Sequence, residues 1–201
     1  SLRRRQRQMC IRDRVITTRE LVDMIREAGI QLTELEPEAP DLPFGLGSGA
    51  AVIYGVTGGV AEAVVRYCLP DKSNNALQAI RVTDLRGDGA IREVNLTVEG
   101  QELHLAIVNG LSHAKELIAD VEAGKRFYHL VEVMTCQGGC VGGAGQPYGL
   151  TAAKKRRGAG LYEADSSAMF KRAEKNPIVT RLLEDYGPDR CHQLLHVHYG
   201  E

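Results

Sequence analysis

The chain has no tryptophan, only five cysteines and seven prolines among 201 residues, and no apolar run near the roughly 20 residues that a membrane-spanning helix requires. The missing apolar run excludes a helical membrane span. The scatter of five cysteines among 22 glycines does not resemble a small disulfide-stapled scaffold. Internal repeats and low-complexity tracts are absent as well. What remains, 43% hydrophobic and 25% charged residues, is the balance of an ordinary globular protein. The length suits one sizeable domain or a piece of a larger one.

The net charge of −1 conceals an asymmetry. Residues 1–14 (SLRRRQRQMCIRDR) hold six arginines and one acid, Asp13, leaving 19 basic and 25 acidic residues for the rest. The segment has neither the apolar stretch of a signal peptide nor a periodic face. An arginine-rich arm of this kind suits nucleic acid or an anionic membrane surface. It equally resembles a translated adaptor leader, and we expect residues 1–14 to be non-native, with the parent protein continuing upstream.

From Thr17 onward the pattern is that of folded protein. Thr17-Thr18-Arg19-Glu20 has capping-box spacing, and Leu21, Met24, Ile25 and Ala28 predict a helix stopped by Gly29. Residues 33–43, acidic and proline-rich, predict an irregular connection. Ala51–Tyr54 is expected to be a short buried strand, Gly55–Gly59 a tight turn, and Val60–Leu69 a helix capped by Thr57 or a glycine. Strands are expected at Ile80–Thr83, Val94–Val98 and His104–Val108. A helix should follow over Leu111–Ala123, with Ser112 as its cap and Gly124 as its stop. Tyr128–Met134 is rich in β-formers, and residues 151–199 are mostly helical, with Pro177 opening one helix. Alternating strands and helices predict an α/β fold with a mostly helical tail.

The densest chemistry lies at Glu132-Val-Met-Thr-Cys136-Gln-Gly-Gly-Cys140-Val-Gly-Gly-Ala-Gly-Gln146-Pro147. Two cysteines four apart follow a strand, inside a loop whose glycines let backbone approach a bulky ligand. Successive backbone N–H groups in such turns form a concavity for anions, and thiolates are the soft ligands of iron–sulfur clusters. A buried cluster wrapped by this loop is one expectation. A redox pair is another, although those have two intervening residues. A structural zinc site needs four ligands, and a radical-SAM motif needs a third nearby cysteine. The residues alone leave these open.

Glu132–Pro147 resembles the third signature motif of iron-only (FeFe) hydrogenases, E-x-M-x-C-x-x-G-C-x-x-G-G-G-Q-P, departing only at Ala144. Gly47–Ala63 is similar to that family's segment beside the active site. Arg157, Leu161-Tyr162, Asn176-Pro177 and His192–His196 resemble its small-subunit region. The resemblance implies that residues 15–150 are the C-terminal portion of the H-cluster domain and 151–201 a small-subunit-like tail. It implies an H-cluster, a 4Fe–4S cubane joined through a cysteine sulfur to a two-iron centre. Cys136 would be a cubane ligand and Cys140 the bridging ligand, with Met134, Tyr54 and Gly55 lining the cavity. The parent would interconvert protons and H2 with electrons from ferredoxin or NAD(P)H-oxidising subunits, in the cytoplasm. The family's other motifs, T-S-C-C-P-x-W and M-P-C-x-x-K-x-x-E, do not occur in these residues. No catalytic group is therefore assigned, and the chain by itself is expected to be inactive. A non-enzymatic iron–sulfur assembly protein and a sensory hydrogenase are the alternatives. Assembly relatives usually lack the Gly-rich Gln-Pro ending that this chain keeps.

Several other features have plainer explanations. Gly55–Gly59 before a helix suggests a phosphate turn, yet it lacks the P-loop Gly-Lys-Ser/Thr. Cys191, His192, His196 and His198 allow a zinc site but are more simply residues of a terminal helix. Lys154–Arg157 with Lys171, Arg172 and Lys175 forms a basic stretch, either a solvated face or a dock for an acidic electron donor. Cys10 lies in the leader, Cys68 is expected to be buried at a helix end, and Glu62 is expected to be structural.

Overall fold

The structure, a computed structural model, describes residues 15–38, 47–69, 85–87, 89–98 and 100–195. Helix α1 (Thr18–Glu27) begins with the capping box its sequence predicts. The Glu20 amide donates to Thr17 Oγ1 at 3.2 Å, and the Thr17 amide donates back to Glu20 Oε2 at 2.6 Å. Residues 32–34 form one 3-10 turn. Part of the irregular connection, residues 39–43, and the expected strand at Ile80–Thr83 lie outside the described residues.

The segment expected as a buried strand at Ala51–Tyr54 is helical instead. Helix α2 (Gly49–Val52) runs into a 3-10 turn over Ile53–Gly55. Ser48 decides this locally, because its hydroxyl accepts from the Ala51 amide at 3.3 Å and caps the first turn. Glycine and alanine on a short segment let it pack end-on against the tail. The Gly49 and Ala50 amides donate to the carbonyls of Phe170 and Lys171. Helix α3 (Gly59–Cys68) follows, its N-cap Gly58 at φ +91°. A Cβ at Gly58 would stand 1.9 Å from the Leu85 carbonyl oxygen, so both conformation and space demand glycine there.

Strands β1 (Ile91–Val98) and β2 (Gln101–Asn109) form an antiparallel hairpin, and β3 (Leu130–Met134) pairs parallel to β2, giving the order β1-β2-β3. The β2–β3 crossover is helix α4 (Leu111–Glu122), closed by Gly124 at φ +68°. Its N-cap is Gly110 rather than Ser112, since Ser112 falls inside the first turn. Central strand β2 is buried on both faces. Leu105 and Ile107 pack toward Ala61 and Val65 of α3, while Ala106 and Val108 pack toward Ala114 and Leu117 of α4. Each fully buried aliphatic side chain contributes about 1.5–3 kcal/mol, so this three-layer stack is the main source of stability.

The tail is helical, as predicted. Helix α5 (Thr151–Ser167) lies against the 53–56 turn. Helix α6 (Pro177–Leu195) opens with proline and is broken at Gly187, φ +73°, just before Pro188. No helix among the described residues is long and apolar enough to cross a membrane.

Candidate metal centre

Strands β2 and β3 are parallel, so their carboxyl ends meet on one edge, where α/β sheets characteristically bind ligands. There the Gly110 amide donates to the Met134 carbonyl at 2.6 Å, and the chain enters the cysteine loop. A 3-10 turn over Cys140–Gly142 shapes its centre. Gly139, at φ +85°, lies against the 55–57 backbone, and a Cβ there would come within 2.8 Å of the Gly55 carbonyl oxygen.

Four groups hold the loop. Asn109, buried at the end of β2, accepts from the Thr57 hydroxyl at 2.7 Å and from the Gly138 amide at 3.2 Å, and donates to the Gly89 carbonyl at 2.7 Å. The Thr57 amide donates to the Gly138 carbonyl at 3.4 Å. The Arg19 amide of α1 donates to the Gly145 carbonyl at 3.0 Å. Arg157 of α5 donates to the Val141 carbonyl at 3.1 Å and to the Pro147 carbonyl at 2.7 Å. Beneath the loop, Val141 packs with Ile53, Val56, Leu161 and Tyr162.

Glu132, the first residue of the motif, is buried. Its carboxylate accepts from the Gly58 amide at 2.6 Å and the Ala61 amide at 2.7 Å, so it serves as the cap that α3 lacks from its own sequence. A negative charge at a helix N-terminus is favoured by the exposed amides and the macrodipole.

Both Cys136 and Cys140 are exposed as free thiols among the described residues. Met134 is half-buried at the strand end. Gly55 sits under the loop, facing Leu161, where a Cβ would stand 2.6 Å from Leu161 Cδ1. Tyr54, 50% exposed, lines a separate groove with Ala50, Ala63 and Tyr67, to which no loop residue contributes. Gln137, Gly138 and Val141 also border a cleft of about 590 Å³ shared with Lys154, Lys155 and Tyr162, but neither cysteine lines it. The structure thus brings Cys136, Cys140 and Gly55 to one loop and puts the Tyr54 side chain elsewhere.

Glu62 is fully buried and structural, as expected. Arg86 grips it with two hydrogen bonds of 2.8 Å, and Arg66 bridges it to Asp165 of α5 through two bonds of 2.7 Å. Two carboxylates and two guanidinium groups balance in sign. Burial works against the Arg66 charge, but the Asp165 hydrogen bond and the Glu62 charge outweigh it and hold the guanidinium above its ordinary pKa. Arg172, expected in a basic surface stretch, is buried instead, and donates to the Arg66 carbonyl. Cys68 is exposed rather than buried, because it shares the outer face of α3 with Val64 and Tyr67. Cys191 is buried and donates to the Leu182 carbonyl at 3.5 Å, which favours packing over zinc binding; His196 and His198 lie outside the described residues. No group of three or more potential ligands gathers among the described residues.

A two-thiol glycine loop is thus held at the carboxyl edge of an α/β sheet, with a helical tail docked beneath it. The model of the iron-only hydrogenase large subunit, C-terminal domain, matches residues 3–144, and that of the iron hydrogenase small subunit matches 151–201. The chain belongs to the iron-only hydrogenase family. It is 38% identical over 193 residues to the NADP-reducing hydrogenase subunit HndD of Solidesulfovibrio fructosivorans, covering 93% of this chain and 33% of that one. It is 28% identical to the cytosolic Fe-S cluster assembly factor narfl of Xenopus tropicalis, covering 93% and 41%. The solved [FeFe]-hydrogenase HydA1 of Chlamydomonas reinhardtii superposes with a TM-score of 0.68 at 34% identity, over 93% of this chain and 55% of that one. The chain therefore spans about a third of the curated hydrogenase it matches and about half of the solved one.

Proposed function

We propose that this chain is the portion of an FeFe hydrogenase that supplies two of the thiolates of an H-cluster, Cys136 to the cubane and Cys140 as the bridge to the two-iron centre. The observation that carries the reading is the loop itself. Two exposed thiols four residues apart sit at the carboxyl edge of the sheet, on backbone fastened by Asn109, Thr57 and Arg157. The donor set fits as half of what a cubane requires, since thiolates are its ligands and four are needed. The other half comes from outside these 201 residues.

When bound, the cluster supplies the redox chemistry of proton reduction. This chain's part is to present two thiolates at a fixed spacing, with Met134 at the end of the preceding strand and Gly55 under the loop. In this proposal residues 15–150 complete one side of the H-cluster domain and residues 151–201 form the small-subunit-like tail. Electrons are exchanged with ferredoxin or an NAD(P)-linked subunit, and the relative whose name marks it as an NADP-reducing hydrogenase subunit supports a nicotinamide-linked partner.

The second reading, an iron–sulfur assembly protein, is favoured by the likeness to a cytosolic assembly factor over 93% of the chain. The retained Gly142-Gly143-Ala144-Gly145-Gln146-Pro147 run supports the enzyme. Infrared spectra of the full-length parent separate the two. The enzyme reading expects CO and cyanide stretching bands together with H2 evolution from a reduced viologen, both lost in Cys140→Ala. A cubane without those bands would establish the assembly reading.

A further inference from the structure

Helix α5 faces the site with Lys154, Gly158, Leu161 and Asp165, a stripe at helical spacing. At one end of the stripe Asp165 is anchored in the buried ion network through Arg66. Midway, Gly158 brings the helix close to Val56, where a Cβ would stand 3.4 Å from Val56 Cγ1. Leu161 packs on Ile53, Val56 and Val141. Near the other end, half-buried Arg157 spreads its guanidinium over the carbonyls of Val141 and Pro147, which bracket the glycine run directly after Cys140.

We propose that Arg157 is the positioning residue of the cysteine loop, and that the tail serves the site by delivering this one guanidinium. Two features single it out. Its two donors reach the carbonyls of Val141 and Pro147 at once, a paired contact that suits the fixed fork of a guanidinium. The run between them carries three glycines, so the backbone on the Cys140 side has the least intrinsic preference for one shape and needs an outside constraint. Asn109 and Thr57 fasten the loop before Cys140, at Gly138, and Arg157 is their side-chain counterpart after it, beside the Arg19 amide at Gly145. Through Asp165 and Arg66, docking of the tail on α3 is linked to the shape of the loop. The consequence for a metal rests on the function proposed above, whereas the positioning itself does not.

The test is hydrogen–deuterium exchange on the metal-free chain, read at the amides of Gly142, Gly143 and Gln146. These amides donate to Gly139, Cys140 and Gly143 carbonyls and so report loop shape. Arg157→Gln should speed their exchange by about tenfold or more, the factor that losing a charge-assisted hydrogen bond supplies. Arg157→Lys, which keeps the charge but reaches one carbonyl, should fall between. The Gly49 and Ala50 amides, which report tail docking through Phe170 and Lys171, should stay protected in both variants. Unchanged exchange in the loop would overturn the proposal. So would an equal rise at Gly49 and Ala50, which would make Arg157 an ordinary docking residue. If Arg157→Gln does not fold, Arg157→Lys alone decides between these results. No iron enters the experiment, so its failure is distinct from failure of the hydrogenase reading.

Discussion

Glu132 shows how one side chain can join a motif to a fold. Its spacing from the cysteines suggests a part in metal chemistry, yet its oxygens are both committed to the amides that open α3. Replacing it with alanine leaves two buried N–H groups without acceptors. Hydrogen bonds to a charged group are worth about 1.5–3 kcal/mol each, and neighbouring ones are not additive. Glu132→Ala should therefore destabilise the chain by about 2–4 kcal/mol in urea unfolding, and Glu132→Gln by less. An alanine variant as stable as the parent would show that α3 finds another cap. Asn109 has the same character. No pattern flags a lone asparagine at a strand end, and only the fold brings Thr57, Gly89 and Gly138 to its amide.

At the level of elements, α1 is the clearest case of local determination, because its capping box needs only residues 17–20. The amide and hydroxyl of Thr17 hold the Glu20 carboxyl below its ordinary pKa. A depressed carboxyl stabilises most above the ordinary glutamate value and loses that contribution as pH falls through its folded value. Amide exchange in the first turn of α1 should accordingly quicken on acidification, once corrected for intrinsic rates, and Glu20→Gln should lose this pH dependence. Helix α2 is the opposite case. Ala51–Tyr54 has the apolar run of a buried strand, but no strand among the described residues pairs with it, and the Ser48 cap with the tail's carbonyls makes it helical. Helix α5 hides its buried face for a related reason. Gly158 and Asp165 occupy positions where an apolar side chain would have shown the period.

Across the whole molecule, the tail is fastened by charges as well as by packing. Arg66, Glu62 and Asp165, all buried, form with half-buried Arg86 a charge-balanced cluster spanning about 100 residues of sequence. Removing one member strands a charge, which typically costs 3–5 kcal/mol, more than the pair itself contributes. Asp165→Ala should release the tail. Limited proteolysis should then cut near residues 168–176 while the β1–β2–β3 unit stays protected. A variant whose tail resists cleavage as the parent does would show that apolar packing alone suffices. Such a network escapes sequence inspection because none of its partners across 99 residues shares a period or a motif.

The sequence by itself determined the features that depend on neighbours in the chain: the α1 cap, the β1–β2 hairpin, the glycine stops, the helical tail and the two-cysteine loop. Each follows from backbone preferences and side-chain spacing over a few residues, where the same chemistry acts whatever the rest of the molecule does. Tertiary structure alone decided which charges are buried, that Glu132 caps a distant helix, that Tyr54 faces a groove apart from the cysteines, and that an arginine of the tail reaches the cysteine loop. Those outcomes depend on desolvation and on contacts between segments far apart in the chain, and both quantities come into existence only when the layers pack.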